Sequence, residues 1–559
     1  MVGFPRIVIK NGKKGQVITM RYAEVKYPNL AEYKDNTGMV MMENIRAALT
    51  QDMYILKGGD ETIQPRFTFH GYRYLELTGI DRAVPIADVS GLVISSINAL
   101  SSQYETSNAL VNKLWQNITW SLRSNFLSIP TDTPARNERM GWSGDISVFS
   151  RSATYLTNAD LFLRRHLLAM RDVQAENGRF TDVAPMGGGF GGTLWGSAGI
   201  VVAWETYRQY GDVMLLKEHY DAMKRYTQFL ESKVDKQTGI LNEGPLGDWL
   251  SPENNKNDNT LFWMAYYAYD LGIMSKVATL LGKNDDAAQF LKRHNEIKSV
   301  WNEVYIDKAT HKTIKSGVIT AAMGPPSQQP QAQQSNKGQL IDTQASYAIP
   351  LAVGVVNEEN KPFAVRYLNE SIERKNKDDG GIERPAYSLM TGFIGTASIT
   401  EALSENGHSA TAYQLLQQKE YPSWLYSVVN GATSIWERLN SYTVENGFGG
   451  NNSMNSFNHY SFGAVAAWMY NNSLGIQRHP EKAGFKEIVL KPTPDPTKKM
   501  TFARGYYDSV YGRINSEWKW EGNRWLYKTT VPANTTATLY LPARSISQVT
   551  ENGKPITQW

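Results

Sequence analysis

The sequence predicts a multidomain α and β protein, with a large helical barrel between two antiparallel β-sandwiches. Three observations carry this reading. Over roughly the first 100 residues, apolar and polar side chains alternate at the period of a strand. From residue 105 the period becomes that of a helix and holds to residue 475. From residue 476 the strand alternation returns. The chain is therefore divided into an N-terminal β-sandwich (1–104), a helical barrel (105–475) and a C-terminal β-sandwich (476–559).

In the first part, "QVITMRYAEV", "DMYILKG", "RFTFHGYRYLELTG" and "GLVISSI" alternate and are separated by Gly, Asn and Asp, the punctuation of an antiparallel sandwich. In "SNALVNKLWQNITWSL", Leu110, Val111, Leu114, Trp115 and Ile118 fall on one helical face, with Thr106 or Ser107 available as the cap. Segments such as "VMLLKEHYDAMKRYTQFLESKV", "TLFWMAYYAYDLGIMSKVATLLG" and "SFGAVAAWMYNNSLG" continue the pattern, giving about a dozen helices in all. No repeat of fixed length recurs, which argues against an open solenoid and for helical hairpins closing into a toroid. The polar, Pro/Gln-rich stretch "AAMGPPSQQPQAQQSNKGQ" (321–339) reads as a mobile loop and is assigned no chemistry. Beyond it, "KEIVLKPTPDP", "MTFARGYYDS" and "GRINSEWKWEGNRWLYKTTVP" supply the second, smaller sandwich.

Composition narrows the function. A chain of 559 residues that is 41% hydrophobic can bury a large core. Its net charge is only +4, and it has no Lys/Arg run and no basic face interleaved with aromatics, so a nucleic-acid partner is not expected. The absence of cysteine removes disulfides, thiolate nucleophiles and Cys-based metal sites. No stretch approaches the roughly 18 apolar residues of a membrane span, and the opening residues hold no apolar signal segment. The expectation is a soluble protein with no membrane partner. It would be cytoplasmic if the chain starts here, and periplasmic or secreted if its start has been trimmed. Oligomeric state is not legible.

One short stretch is unusually rich in chemistry: "TDTPARNERMGWSGD" (131–145) holds Asp132, Arg136, Glu138, Arg139, Trp142 and Asp145. Each has an ordinary reading. Glu138 suits a surface ion pair, and Asp132 suits a turn or cap. Elsewhere, Glu437 in "SIWERL" suits a structural ion pair, His459 in "FNHYSFG" a core histidine, and Trp142, Trp195 and Trp249 simple packing. Yet the loops at 182–196, 243–252, 430–440 and 445–463 also gather Gly, aromatic and polar residues between helices. In a helical barrel such loops line one mouth. Competing motifs are weak. "GGGFGG" lacks the Lys-Ser/Thr ending of a phosphate loop, and neither HExxH nor GxSxG occurs, so no cofactor or metal is expected. What remains is a pair of glutamates far apart in sequence, each beside Trp and Arg. Glycoside hydrolysis needs two such carboxyls, one protonated donor and one acceptor. Asp132 and Trp142 are placed to raise the pKa of Glu138 and keep it protonated.

At these residues a resemblance becomes clear. "SNFLSIPTDTPARNERMGWSGD" resembles the D-C-P-Q-R-D-E-R-L-G-W-T-G-D pattern of the bacterial α-L-rhamnosidases, glycoside hydrolase family 78. "LYSVVNGATSIWERLNS" is similar to that family's T-I-W-E-R-W segment and "SFNHYSFGAVAAWMY" to its N-H-Y segment; "GDWL", "GTLWG" and "EYPSWLY" also fit. The resemblance implies an (α/α)6 barrel flanked by β-sandwiches that removes terminal α-L-rhamnose from a glycoside or oligosaccharide, with inversion and without a metal. Carried over by residue, it makes Glu138 the general acid and Glu437 the base that activates water. Asp132, Arg136, Trp142 and Asp145 would hold the sugar ring, and Trp195, Trp249 and His459 would complete the pocket.

The chain departs from the pattern at Thr133, Ala135 and Asn137, and again at Leu439 and Asn440. Of these, Asn137 removes a charge beside the acid and Leu439 removes a ring. The alternatives are a carbohydrate-binding homologue with impaired catalysis, another (α/α)-barrel glycosidase, or a polysaccharide lyase. A lyase would need a Tyr, His or Lys base rather than two separated glutamates.

Overall fold

The computed structural model describes residues 1–320, 336–543 and 545–556. The stretch read as a mobile loop at 321–339 lies, over 321–335, outside the described residues.

Two sheets form the N-terminal sandwich. In one, Val2–Gly12 pairs with Gly59–Ile63, His70–Gly71 and Val89–Val93. In the other, Val17–Ala23 lies between Gln51–Ile55 and Tyr74–Thr78. The period of two is visible in burial: Ile18, Met20 and Tyr22 point inward and meet Ile7, Ile9 and Ile63 of the facing sheet.

The helical part contains α1 (Ala109–Asn125), α2 (Ser143–Leu156), α3 (Asp160–Asp172), α4 (Thr193–Gly196), α5 (Ala198–Tyr210), α6 (Val213–Ser232) and α7 (Asn259–Leu280). It continues with α8 (Asn284–Tyr305), α9 (Gln344–Ala352), α10 (Lys361–Glu373), α11 (Phe393–Glu405), α12 (Ser409–Gln417), α13 (Trp424–Val429) and α14 (Ala466–Trp468). An inner ring runs α2, α5, α7, α9, α11 and back to α2 through the 461–468 segment. Outer helices α3, α6, α8, α10 and α12 pack beside it, so the hairpins close into a barrel. Inner helix α7 is buried along both sides, with Leu261, Trp263, Met264, Tyr267 and Leu271 in one core, as a helix enclosed by others must be.

Two expectations shift locally. The cap of α1 is Asn108, whose side-chain oxygen accepts from the amides of Leu110 (3.0 Å) and Val111 (3.4 Å). Thr106 instead bonds the Asn108 amide at 3.1 Å, and the Ser107 hydroxyl accepts from the Thr501 amide. The "SFGAVAAWMYNNSLG" segment is not one regular helix. It passes from a 3-10 turn (Ser461–Val465) through α14 into a π turn (Met469–Ser473). There the buried polar groups bond outward: the Asn472 amide donates to Glu405 and the Ser473 carbonyl accepts from the Trp518 indole.

The C-terminal sheet Phe502–Ser509, Gly512–Glu521 and Arg524–Thr530 takes a fourth strand, Ser102–Thr106, from ahead of the helices. A second sheet joins Ile476–Arg478, Glu487–Leu490 and Thr536–Leu539, the last two running parallel. Among the described residues no helix is long and apolar enough to cross a membrane.

Candidate active site

The 131–142 segment is a loop closed on itself by Asp132. Its amide donates to the Met140 carbonyl and its Oδ1 accepts from the Met140 amide, both at 2.9 Å. The Thr133 hydroxyl bonds Ser456 at 2.7 Å, and α2 starts just beyond Trp142. The other carboxylate comes from a segment zipped to the 456–459 loop: the Glu437 amide donates to Ser456 (2.9 Å) and the His459 amide to Ile435 (2.8 Å). The two stretches singled out in the sequence, far apart along the chain, thus share one wall.

Arg136 joins them. Its guanidinium, 2% exposed, bonds Glu138 Oε2 through Nε (2.9 Å) and Nη2 (2.8 Å), and Glu437 Oε2 through Nη1 (2.9 Å). Burial opposes its charge, but Glu437 and Glu138 outweigh that and raise its pKa further. Since one guanidinium bridges both carboxylates, their nearer oxygens stand at most about 8 Å apart, and the inverting window of about 6.5–9.5 Å overlaps that bound.

Glu138 receives two further donors. The Trp142 indole gives a 3.0 Å bond to Oε1, and Arg46, from the N-terminal sandwich, gives a 3.0 Å bond to Oε2. Burial favours the protonated form, but Arg136, Arg46 and these hydrogen bonds prevail and hold the carboxyl below its ordinary value. This reverses the expectation that Asp132 and Trp142 would raise it: the indole is a donor, which stabilises the carboxylate. The upward shift falls on Asp132 instead. Burial, and after it the charge of Glu138, pushes the Asp132 carboxyl well above its usual range.

Beside this cluster, His459 Nε2 lies 3.0 Å from Asp145 Oδ1, which also accepts from the Ser461 hydroxyl at 3.1 Å. Burial alone would lower the His459 pKa; the bond to Asp145 and its charge raise it instead. The Phe393 ring packs 5.2 Å from His459, and the Phe393 amide donates to the Trp249 carbonyl. Asp248, next to Trp249, accepts from the amides of Gly392 and Gly395 at the start of α11; burial lifts its pKa to about 6. Trp249 therefore reaches the site through Phe393, half-buried on its own loop.

Trp195 is buried against the start of α2. A Cβ on Gly144 or Gly191 would come within 2.4 Å or 2.3 Å of its ring, so both positions require glycine. The "GGGFGG" loop wraps Asp182, which accepts from the amides of Gly191 and Gly192. The same loop exposes Phe190 edge-on to Trp142 at 5.4 Å, an aromatic rim the sequence did not single out. Arg139 bonds the carbonyls of Pro134 and Phe69 and stacks on the Phe69 ring.

Arg46 was missed as well. It lies 92 residues from Glu138 in a segment with no motif, and only the placement of the sandwich brings it to the site. Among the described residues no three His, Asp or Glu side chains gather as metal ligands. A cavity of 370 Å³ lies between the first sandwich and the Glu437 segment, lined by Glu24, Tyr27, Tyr74, Trp436 and Asn458 rather than by the carboxylate pair.

With this geometry in place, similarity to known proteins is decisive. Residues 100–473 match the bacterial alpha-L-rhamnosidase 6 hairpin glycosidase domain, 1–95 its concanavalin-like domain and 475–554 its C-terminal domain. The chain belongs to the bacterial α-L-rhamnosidase family. It is 35% identical over 547 residues to an α-L-rhamnosidase of Streptomyces avermitilis, covering 97% of this chain and 48% of that protein. The crystal structure of that enzyme complexed with L-rhamnose superposes with a TM-score of 0.84, covering 98% of this chain and 48% of that one. An α-L-rhamnosidase of Dictyoglumus thermophilum superposes at 0.83 with 30% identity, covering 97% of this chain and 56% of that one. The chain thus spans about half the length of such relatives.

Proposed function

We propose that this chain is the catalytic unit of an inverting glycoside hydrolase that removes terminal, non-reducing α-L-rhamnose. The observation that carries the reading is the Arg136 guanidinium held between Glu138 and Glu437, in a chain of this family. Glu437 takes the proton of a water that attacks the anomeric carbon, and Glu138, which its donors bias toward the carboxylate, takes up a proton from solvent before passing it to the departing glycosidic oxygen. Arg136 keeps the two carboxylates apart and fixes their orientation, so neither has to reorganise when charge develops. Asp132, biased by burial toward its protonated form, presents a hydroxyl donor to the sugar, while His459, biased toward its charged form by Asp145, presents a second. Trp142 and the exposed Phe190 offer an apolar flank for the ring, with Trp195 and Trp249 behind. Asn137 is exposed and Leu439 packs half-buried against the main core.

The test is release of free L-rhamnose from an aryl α-L-rhamnoside whose phenol is a poor leaving group and needs protonation, with aryl α-L-arabinoside and β-glucoside as controls. Glu138→Gln and Glu437→Gln should each lower turnover by about 10²–10⁴-fold while rhamnose still binds. Undiminished turnover in either variant overturns the role given to that residue. Rhamnose binding without turnover in the unaltered chain favours the impaired binding homologue.

A further inference from the structure

The N-terminal sandwich is joined to the base-bearing loop by a set of directed contacts that converge on one side chain. The turn Glu43–Ile45 docks on the 452–457 loop: the Asn452 amide donates to Glu43 Oε2 (3.0 Å), and Tyr27 holds Glu43 Oε1 (2.8 Å). The buried Glu24 accepts from Asn44 (2.9 Å) and from the Phe457 amide (3.2 Å), tying the same turn to the same loop. Arg46 leaves this turn with φ +62°, a conformation L side chains rarely adopt. Its Nε donates to the Ser453 carbonyl at 2.7 Å and its Nη1 to Glu138 Oε2 at 3.0 Å. An ordinary surface arginine is not seated by a docked turn and a left-handed backbone; this one is aimed.

Glu138 Oε2, the oxygen Arg46 touches, already accepts two bonds from Arg136. Its other oxygen faces the Trp142 indole. Across the site lie the Asp132 carboxyl, Glu437 beyond Arg136, and the His459–Asp145 pair. Arg136 is shared by both glutamates and cannot release Glu138 without freeing Glu437. Arg46 has no such second carboxylate and is partly exposed, with 28% of its side chain open to solvent. It is the cation able to withdraw.

We propose that Arg46 is a positioning residue of the N-terminal sandwich that holds the general acid in the resting enzyme and sets its proton affinity, yielding Oε2 when the glycosidic oxygen enters. The proposal rests on Glu138 being the acid. It makes the first sandwich part of the catalytic apparatus: the proton donor is tuned from a separate domain.

The experiment is the pH dependence of kcat/KM, which reports ionisations of the free enzyme. Removing the cation in Arg46→Gln or Arg46→Met should raise the proton affinity of Glu138 and move the alkaline limb upward by about half to one unit, a roughly 3- to 10-fold relative gain on that limb. Arg46→Lys keeps a charge there and should leave the limb near its original position. A merely structural turn residue would lower activity at all pH values and leave the limb in place. Glu138→Gln, assayed on an aryl rhamnoside whose leaving group needs no acid, should lack the alkaline limb. If that variant lacks the limb but Arg46→Gln and Arg46→Met do not shift it, the proposal is wrong and the acid assignment stands. If Glu138→Gln keeps the limb, the acid assignment itself falls and takes the proposal with it.

Discussion

The C-terminal sandwich shares one continuous apolar core with the helices, whereas the N-terminal sandwich keeps a core of its own. Ile514, Trp518, Ala503 and Tyr507 belong to the same cluster as the barrel helices. The Trp518 indole and the Ser516 hydroxyl also bond the backbone at Ser473 and Leu474. By contrast, Ile7, Ile18, Met20 and Tyr22 form a closed cluster. That sandwich reaches the barrel through a small patch around Met41, Trp436 and Phe457, and through the bonds of Glu24, Glu43 and Arg46. The lesson is a division of labour. Apolar continuity makes the C-terminal sandwich a scaffold, and directed polar contacts make the N-terminal one a contributor to the site.

The strongest challenge to that division is Trp518→Ala. It should destabilise the helices and the last sheet together by about 3–5 kcal/mol, read as one shifted unfolding transition. Two separate transitions would show that the shared core is not cooperative. Ile18→Ala should cost about 2–4 kcal/mol but confine the loss to the first sandwich. In denaturant, activity should then disappear before the helical circular dichroism signal.

Glu24→Gln sharpens the contrast through pH. Burial raises the Glu24 pKa from 4.5 to about 7. The folded state therefore binds a proton the unfolded chain has released, and stability present below pH 4.5 is lost as pH rises through about 7. The glutamine variant, with no charge to bury, should be more stable than the parent by about 2–3 kcal/mol at pH 8 and equal to it near pH 4. A difference independent of pH would contradict the assignment. The smallest effect is expected of Thr133→Ala, which loses the bond to Ser456 and should cost about 1 kcal/mol in chemical denaturation.

How far the sequence foretold this depends on the kind of information. Periodicity placed the helices and both sandwiches because burial imposes it directly, as at Ile18, Met20 and Tyr22. The capping residue of α1 moved by one position because Thr106, Ser107 and Asn108 are all competent caps and only backbone geometry chooses among them. The crowding of Asp132, Arg136, Glu138 and Trp142 was legible because all four lie in one loop, and Glu437 and His459 because each adjoins a distinctive aromatic neighbour. The partners of Arg139 were not legible: charge says nothing about whether a guanidinium will meet a carboxylate or two carbonyls. The directions of the Glu138 and Asp132 shifts were not legible either, since they depend on which oxygen each donor reaches. Arg46 left no mark at all, because its role exists only once two separately folded units are docked.

The central claim is that Glu138 and Glu437, held apart by Arg136, act as an inverting pair. Proton NMR during the first turnovers of an aryl α-L-rhamnoside tests it most directly, by observing the anomer of the released sugar before mutarotation. The account predicts that β-L-rhamnose appears first, with the α anomer growing only afterwards. Initial release of α-L-rhamnose would contradict it and make one of the two glutamates a nucleophile.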